Sequence, residues 1–243
     1  MDLIVIYLGL WYNKYNKTRE ELIHMNRIHL YLILDTETAN TIDCPFCYNI
    51  AWCIIDQHGN VYAQGSFINS DVFYDMVDLM QSAYYADKIP QYAEAIENGE
   101  ITVASWYEIR KAFHDMCAQY NIKAIMAHNA RFDYRSCTVT QRYETCSKYR
   151  HFFPKGIEIW DTLAMARDVI LPKASYRKFC EENGYVCKNG QLRATAEILY
   201  RFISGNNDFV EAHKAMEDVE IEREIFWYCI NQHKAMRRKA FKN

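Results

Sequence analysis

Asp35, Thr36 and Glu37 stand at the C-terminal end of a short apolar run, Ile28-His29-Leu30-Tyr31-Leu32-Ile33-Leu34. A run of β-formers this short, followed by the turn-prone Thr38-Ala39-Asn40, predicts a buried strand that stops near the two acids. Alternation along a strand turns residues i and i+2 to one face, so the Asp35 and Glu37 carboxylates point the same way. Two like charges at the end of an apolar strand repel and lose hydration, and a cation between them relieves both costs. All-oxygen ligands suit a hard divalent ion such as Mg2+ or Mn2+. Taken alone, such a pair is more often just the polar end of a strand.

Two further segments change that balance. An apolar stretch from Ala124 to Ala127 runs into His128-Asn129, and the pattern then predicts a helix carrying Asp133 near its first turn. Ala212-His213-Lys214-Ala215-Met216-Glu217-Asp218 opens the long amphipathic C-terminal segment, with His213 five positions before Asp218. On one continuous helix that offset is about 140°, which separates the two side chains. They converge only if His213 lies in the approach to the helix and Asp218 within it. That arrangement suits a mobile base beside a fixed metal ligand.

Asp35, Glu37, Asp133 and Asp218 with His213, in this order and these contexts, resemble the DEDDh 3′-to-5′ exonucleases. That superfamily includes proofreading subunits of replicative polymerases, ribonuclease T and oligoribonuclease. The resemblance covers roughly residues 27–232, although only the three motif segments are sharp. Asp161-Thr162 after Ile157-Glu158-Ile159-Trp160 matches a short strand that such enzymes carry between their second and third motifs. The resemblance implies an α/β, ribonuclease-H-like fold with a five-stranded mixed sheet and helices on both faces. It implies two divalent cations, Mg2+ or Mn2+, with Asp35 bridging both, Glu37 and Asp218 completing their shells and Asp133 acting through water. It makes His213 the general base. Thr38 and Ala39 would grip the 3′-terminal nucleotide through backbone amides and a wedge, Asn129 would hydrogen-bond to it, and Phe132 would pack or stack on it. For Phe132 an ordinary core role is nearly as good a reading. Asp161 reads as a helix N-cap or a support to the site, and His128 as a support to its strand end.

The activity implied is release of nucleoside 5′-monophosphates from single-stranded 3′ ends. DNA is favoured and RNA stays open, since sensing a 2′-hydroxyl depends on pocket shape. DNA repair or proofreading would be the setting. The alternative is a non-catalytic protein on the same fold that binds nucleic-acid ends or a partner. The presence of all five key side chains weighs against it. Homodimerisation and docking on a polymerase both stay open.

The net charge of −3 is not the footprint of a basic nucleic-acid binder, but four of the acids belong to the proposed site. Basic residues cluster at Lys173, Arg177 and Lys178 and again at Lys234, Arg237, Arg238, Lys239 and Lys242. The second cluster reads as a solvated helix end, with backbone steering as the runner-up. Nine cysteines, an odd number, without a cleavable signal imply reduced thiols and a cytoplasmic location. Leu3 to Tyr12 is too short an apolar run to span a membrane. Cys44 and Cys47 have the spacing of half a zinc knuckle, but a matching second half is missing.

With only four prolines and eight glycines, scattered, no linker divides the chain. Residues 1–24 read as an extension of unknown role, an edge strand or dimer contact among the options; residues 25–235 read as the catalytic domain and 236–243 as a basic tail. Periodicity predicts strands at 28–35, 48–56, 61–68, 122–127 and 157–160. It predicts helical spacing from 71 to 97 broken by Pro90, then helices at 106–120, 130–148, 161–169, 175–183, 191–203 and 211–235. His58 reads as a turn residue, His114 as helix surface and His151 as loop.

Overall fold

The computed structural model describes residues 29–83, 86–145, 150–211 and 214–243. Its frame is one seven-stranded mixed sheet in the order β4-β3-β2-β1-β5-β6-β7. Strands β1 (Leu30–Ala39), β2 (Phe46–Asp56) and β3 (Val61–Asn69) form the antiparallel meander expected from the sequence. Strand β5 (Ala124–Ala127) lies parallel to β1, and β6 (Glu158–Asp161) parallel to β5. The two strands beyond the expected five are both short edges. They are β4 (Thr102–Ala104), parallel to β3, and β7 (Lys239–Lys242), antiparallel to β6. Three or four residues are too few to leave a period-two signature.

Alternation sorts the central strands between two cores. Leu30, Leu32, Leu34, Ile50, Trp52 and Ile54 face α4 (Trp106–Gln119) and α5 (Arg131–Glu144). Tyr31, Ile33, Ala51, Cys53 and Ile55 face α6 (Thr162–Val169), α7 (Ala174–Glu182), α8 (Ala196–Ser204) and α9 (Ala215–Asn231). Every residue of β2 is buried, as expected for a strand covered on both faces. Gly65 of β3 sits opposite Trp52, and a Cβ there would come within 3.1 Å of the indole, so a larger residue would crowd the ring. A third cluster gathers Ala39, Phe46, Tyr48 and Ile68 under α1 (Ser70–Phe73), α2 (Val77–Gln81) and α3 (Ile89–Glu97).

Several boundaries differ from the sequence reading. Pro90 begins a helix instead of breaking one, since a residue without an N–H fits the first turn. Thr195, not residue 191, starts α8, accepting a hydrogen bond from Ile198 N. Strand β1 runs four residues past Asp35, because antiparallel pairing with β2 continues to Ala39 through a bulge after Glu37. Helix α9 ends at Asn231, and His233 then turns with φ 50°. The basic tail is therefore not a helix end: Arg237 makes a bidentate pair with Asp168, Lys239 pairs with Glu158, and the Arg238 guanidinium lies over the Trp160 ring. His114 is half-buried, its Nε2 2.8 Å from Phe152 O, and is not a surface group. Cys44 is exposed while Cys47 is buried inside β2, so the pair does not converge on a metal. Residues 1–24 and His213 lie outside the described residues. Among the described residues no helix is long and apolar enough to cross a membrane.

Candidate active site

The site forms where β1 loses its neighbour. Strand β5 pairs with β1 only from Tyr31 to Ile33, then its chain turns away at His128. The edge of β1 from Asp35 to Glu37 is left open on that side. Into this opening α5 brings Asp133, whose Oδ1 accepts from Thr36 N at 3.2 Å and Thr36 Oγ1 at 2.8 Å. The carboxylate thus takes up a strand N–H that the parallel ladder no longer satisfies. Ser136, one turn along α5, bonds back to Phe132 O and sits 3.3 Å from Thr36 Oγ1, which holds the helix start against the strand.

On the other face of β1, Asp35 and Glu37 meet α9. One carboxylate oxygen each from Asp35, Glu37 and Asp218 lies within 4.8 Å of the others, a spacing that a single cation can span. Helix α9 begins at Ala215, so Asp218 falls in its first turn. The Asp218 Oδ1 atom is buried with no hydrogen-bond partner among the described residues. A buried carboxylate oxygen left this way is costly without a cation, so the donor set fits hard divalent metal ions.

The protonation behaviour reflects the crowding. Burial pushes Glu37 up to about 7, with Lys88 opposing it and Glu211 and Asp133 adding to it. Burial likewise raises Asp133 to about 7 against the hydrogen bonds from Thr36, and raises Asp218 to about 9 with Glu211 beside it. Asp35 is driven well above the usual carboxyl range by burial and then by Asp133, Glu222, Asp218 and Glu37. A cation would reverse all four shifts by favouring the charged forms.

The expected substrate contacts border this cluster. Thr38 is half-buried and Ala39 buried at the end of β1. Asn129 is exposed in a left-handed conformation, φ 64°, and Phe132 is half-buried with the Arg135 guanidinium 5.8 Å from its ring. Phe132 is thus neither a core aromatic nor free-standing. Asp161 caps α6 by accepting from Leu163 N and also accepts from Asn129 N, both at 3.0 Å. The His128 ring is fixed between Thr162 Oγ1 and Ala194 O. A cavity of about 140 Å³ on the α9 side of the sheet is lined by Asn49, Ser66, Lys88, Tyr92, Lys214 and neighbours.

Three participants escaped the sequence reading. Thr36 was hidden between the two acids because alternation sends it to the opposite face. Lys88 left no signal, sitting in a single 3₁₀ turn. Glu222 did leave one, an acid four residues after Asp218 among apolar neighbours on α9.

No protein-family model matches the sequence, and no match is found among curated proteins. Solved structures do align. Exonuclease I with bound product superposes with a TM-score of 0.50 at 16% identity, over 81% of this chain and 42% of that one. Exonuclease I in complex with the inhibitor BCBP gives 0.51 at 16% identity, over 81% and 40%. The fold is ribonuclease-H-like. The chain spans about two fifths of the length of these exonuclease I chains.

Proposed function

We propose that this chain is a metal-dependent 3′-to-5′ exonuclease of the DEDDh kind, releasing nucleoside 5′-monophosphates from single strands, with DNA favoured over RNA. The observation that carries the proposal is the convergence of Asp35, Glu37 and Asp218 oxygens within 4.8 Å, with Asp133 held beside them by Thr36. Two divalent cations, Mg2+ or Mn2+, held by these acids would supply an ionised water at neutral pH and neutralise charge on the departing 3′-oxygen. The protein's own share is placement. Thr38 and Ala39 at the strand end, with Asn129 and Phe132 across the opening, are the groups set to hold a terminal nucleotide. Three of the four are at least partly open to solvent. His213, from the segment leading into α9, is assigned the proton of the attacking water on its place in the sequence.

Digestion of end-labelled single-stranded DNA, duplex DNA and RNA with Mg2+ or Mn2+ tests this reading. A bulky block on the 3′ end should protect the strand and a 5′ block should not. Single strands should be preferred, because pulling a terminal base from a duplex costs a few kcal/mol. Cleavage of a closed circle, or release of 3′-monophosphates, would sink the mechanism. Binding of 3′ ends without any cleavage would favour the end-binding alternative.

A further inference from the structure

Glu222 has no role in the chemistry above, yet it is more deeply buried than any of the four acids of the cluster. It is 2% exposed, on the inward face of α9 one turn beyond Asp218. Its Oε1 accepts from His128 N at 2.8 Å. Its Oε2 is buried without a hydrogen-bond partner among the described residues. An acid at such a position is costly, and an apolar residue would pack there more cheaply unless the carboxyl has a task.

The task is visible in what it holds. Past Met126 the strand β5 has parted from β1, so the His128 N–H has no ladder acceptor on that side. Glu222 supplies one from α9. The next N–H, that of Asn129, is taken by Asp161 from the end of β6. Two consecutive backbone donors are therefore clamped by carboxylates from two other elements. Directly after them the chain adopts the left-handed conformation at Asn129, a residue type that enters it more readily than most side chains. Immediately after this turn come Phe132 and Asp133 in the first turn of α5.

We propose that Glu222 is a positioning residue. It ties the helix that carries Asp218 to the turn that presents Asn129 and launches Asp133, so that the two acids approach the site from opposite sides at a fixed separation. The assignment rests on the exonuclease reading and adds to it a residue whose working feature is an acceptor oxygen.

The experiment compares Glu222→Gln, which keeps an acceptor of the same length, with Glu222→Ala, which removes it, in the full chain. Three quantities are read: amide exchange of His128 by NMR without metal, Mn2+ affinity by calorimetry, and kcat and KM on labelled single-stranded DNA. In Glu222→Ala the His128 amide should exchange at least about tenfold faster, Mn2+ affinity should fall by about tenfold, and kcat should fall by about 10–100-fold with KM nearly unchanged. Glu222→Gln should stay within about threefold of wild type in each, because the hydrogen bond survives. The proposal is overturned if Glu222→Gln fails as badly as Glu222→Ala, which would make the charge the working feature. It is overturned equally if Glu222→Ala leaves His128 protected and Mn2+ binding intact. An inactive wild-type protein would sink the exonuclease reading alone, because exchange and Mn2+ binding still decide the role of Glu222.

Discussion

Metal-free protein should lose stability as pH rises from about 5 to about 8, the reverse of the usual behaviour of a protein whose carboxylates are paired. Burial first, and mutual repulsion after it, raise the pKa values of Asp35, Glu37, Asp133 and Asp218. A carboxyl with a folded pKa above its unfolded one binds its proton more tightly in the native state. Its stabilisation is complete below the unfolded pKa and disappears as pH climbs through the folded value. Glu37 moves from 4.5 to about 7. Linkage over the interval from about pH 5 to about pH 8 then removes about 2.5 kcal/mol through this one residue. For a chain of this size each kcal/mol shifts the melting temperature by about 2–4 °C, so Glu37 alone accounts for about 5–10 °C. Asp133, raised to about 7, works in the same window, and Asp218, raised to about 9, carries the decline to higher pH. These acids feel one another, so their contributions do not simply add. The assay is thermal unfolding followed by circular dichroism in EDTA at constant ionic strength, repeated with Mg2+ or Mn2+. The cation should recover most stability at the alkaline end and little at the acid end, because it competes with protons for the same oxygens. A melting temperature in EDTA that stays flat or rises over this range would refute the packing described for these acids.

Asp35→Asn should abolish turnover in Mg2+ and raise the melting temperature of the metal-free protein at neutral pH, since an acid whose charged form is disfavoured by folding gives way to a neutral side chain; retention of more than a few per cent of wild-type activity would exclude an ion-holding role. His213→Ala should slow the single-turnover rate by about 10²–10⁴-fold with little change in substrate affinity. The wild-type rate should climb through the imidazole range, and an unchanged mutant rate would remove His213 from the chemistry. Asp56 accepts hydrogen bonds from His58 N, Asn60 N, Asn60 Nδ2 and Tyr62 Oη at the β2–β3 turn. Asp56→Ala should cost about 2–3 kcal/mol in urea unfolding while leaving the specific activity of the folded protein intact, which separates the hairpin from the site.

The parts of this molecule that could be read from the sequence are those in which one residue type repeats at a fixed period. The apolar runs Leu30–Leu34 and Phe46–Ile55 located two of the three long strands, and alternation put Asp35 and Glu37 on one face, while Asp218 and Asp133 were joined to them by the resemblance to the DEDDh exonucleases. What holds Asp133 in place rests on a fact alternation does not carry, that β1 outruns β5 and leaves Thr36 N without a ladder partner. The edge strands β4 and β7 were illegible because three or four residues are too few to show a period, and they acquire their conformation from the open sheet edges they meet. Glu222 was overlooked for a related reason. Its partner is a backbone N–H, and a backbone group has no letter in the sequence.

Strand β7 has a consequence for the behaviour of the protein in concentrated solution. A sheet edge with unpaired backbone groups is a template for another chain, and short strands bearing lysine are poor templates. Both edges of this sheet are short, and β7 begins and ends with Lys239 and Lys242. Beneath it lies Glu158-Ile159-Trp160-Asp161, an edge with a large aromatic at its centre, half-covered by the guanidinium of Arg238 at 5.6 Å. Removing residues 236–243 would strip away the lysines, the cover over Trp160 and the Phe241 ring packed on Tyr134. What remained would be an adhesive strand, and the shortened chain would be drawn into edge-to-edge assemblies of itself with its carboxylate cluster still in place.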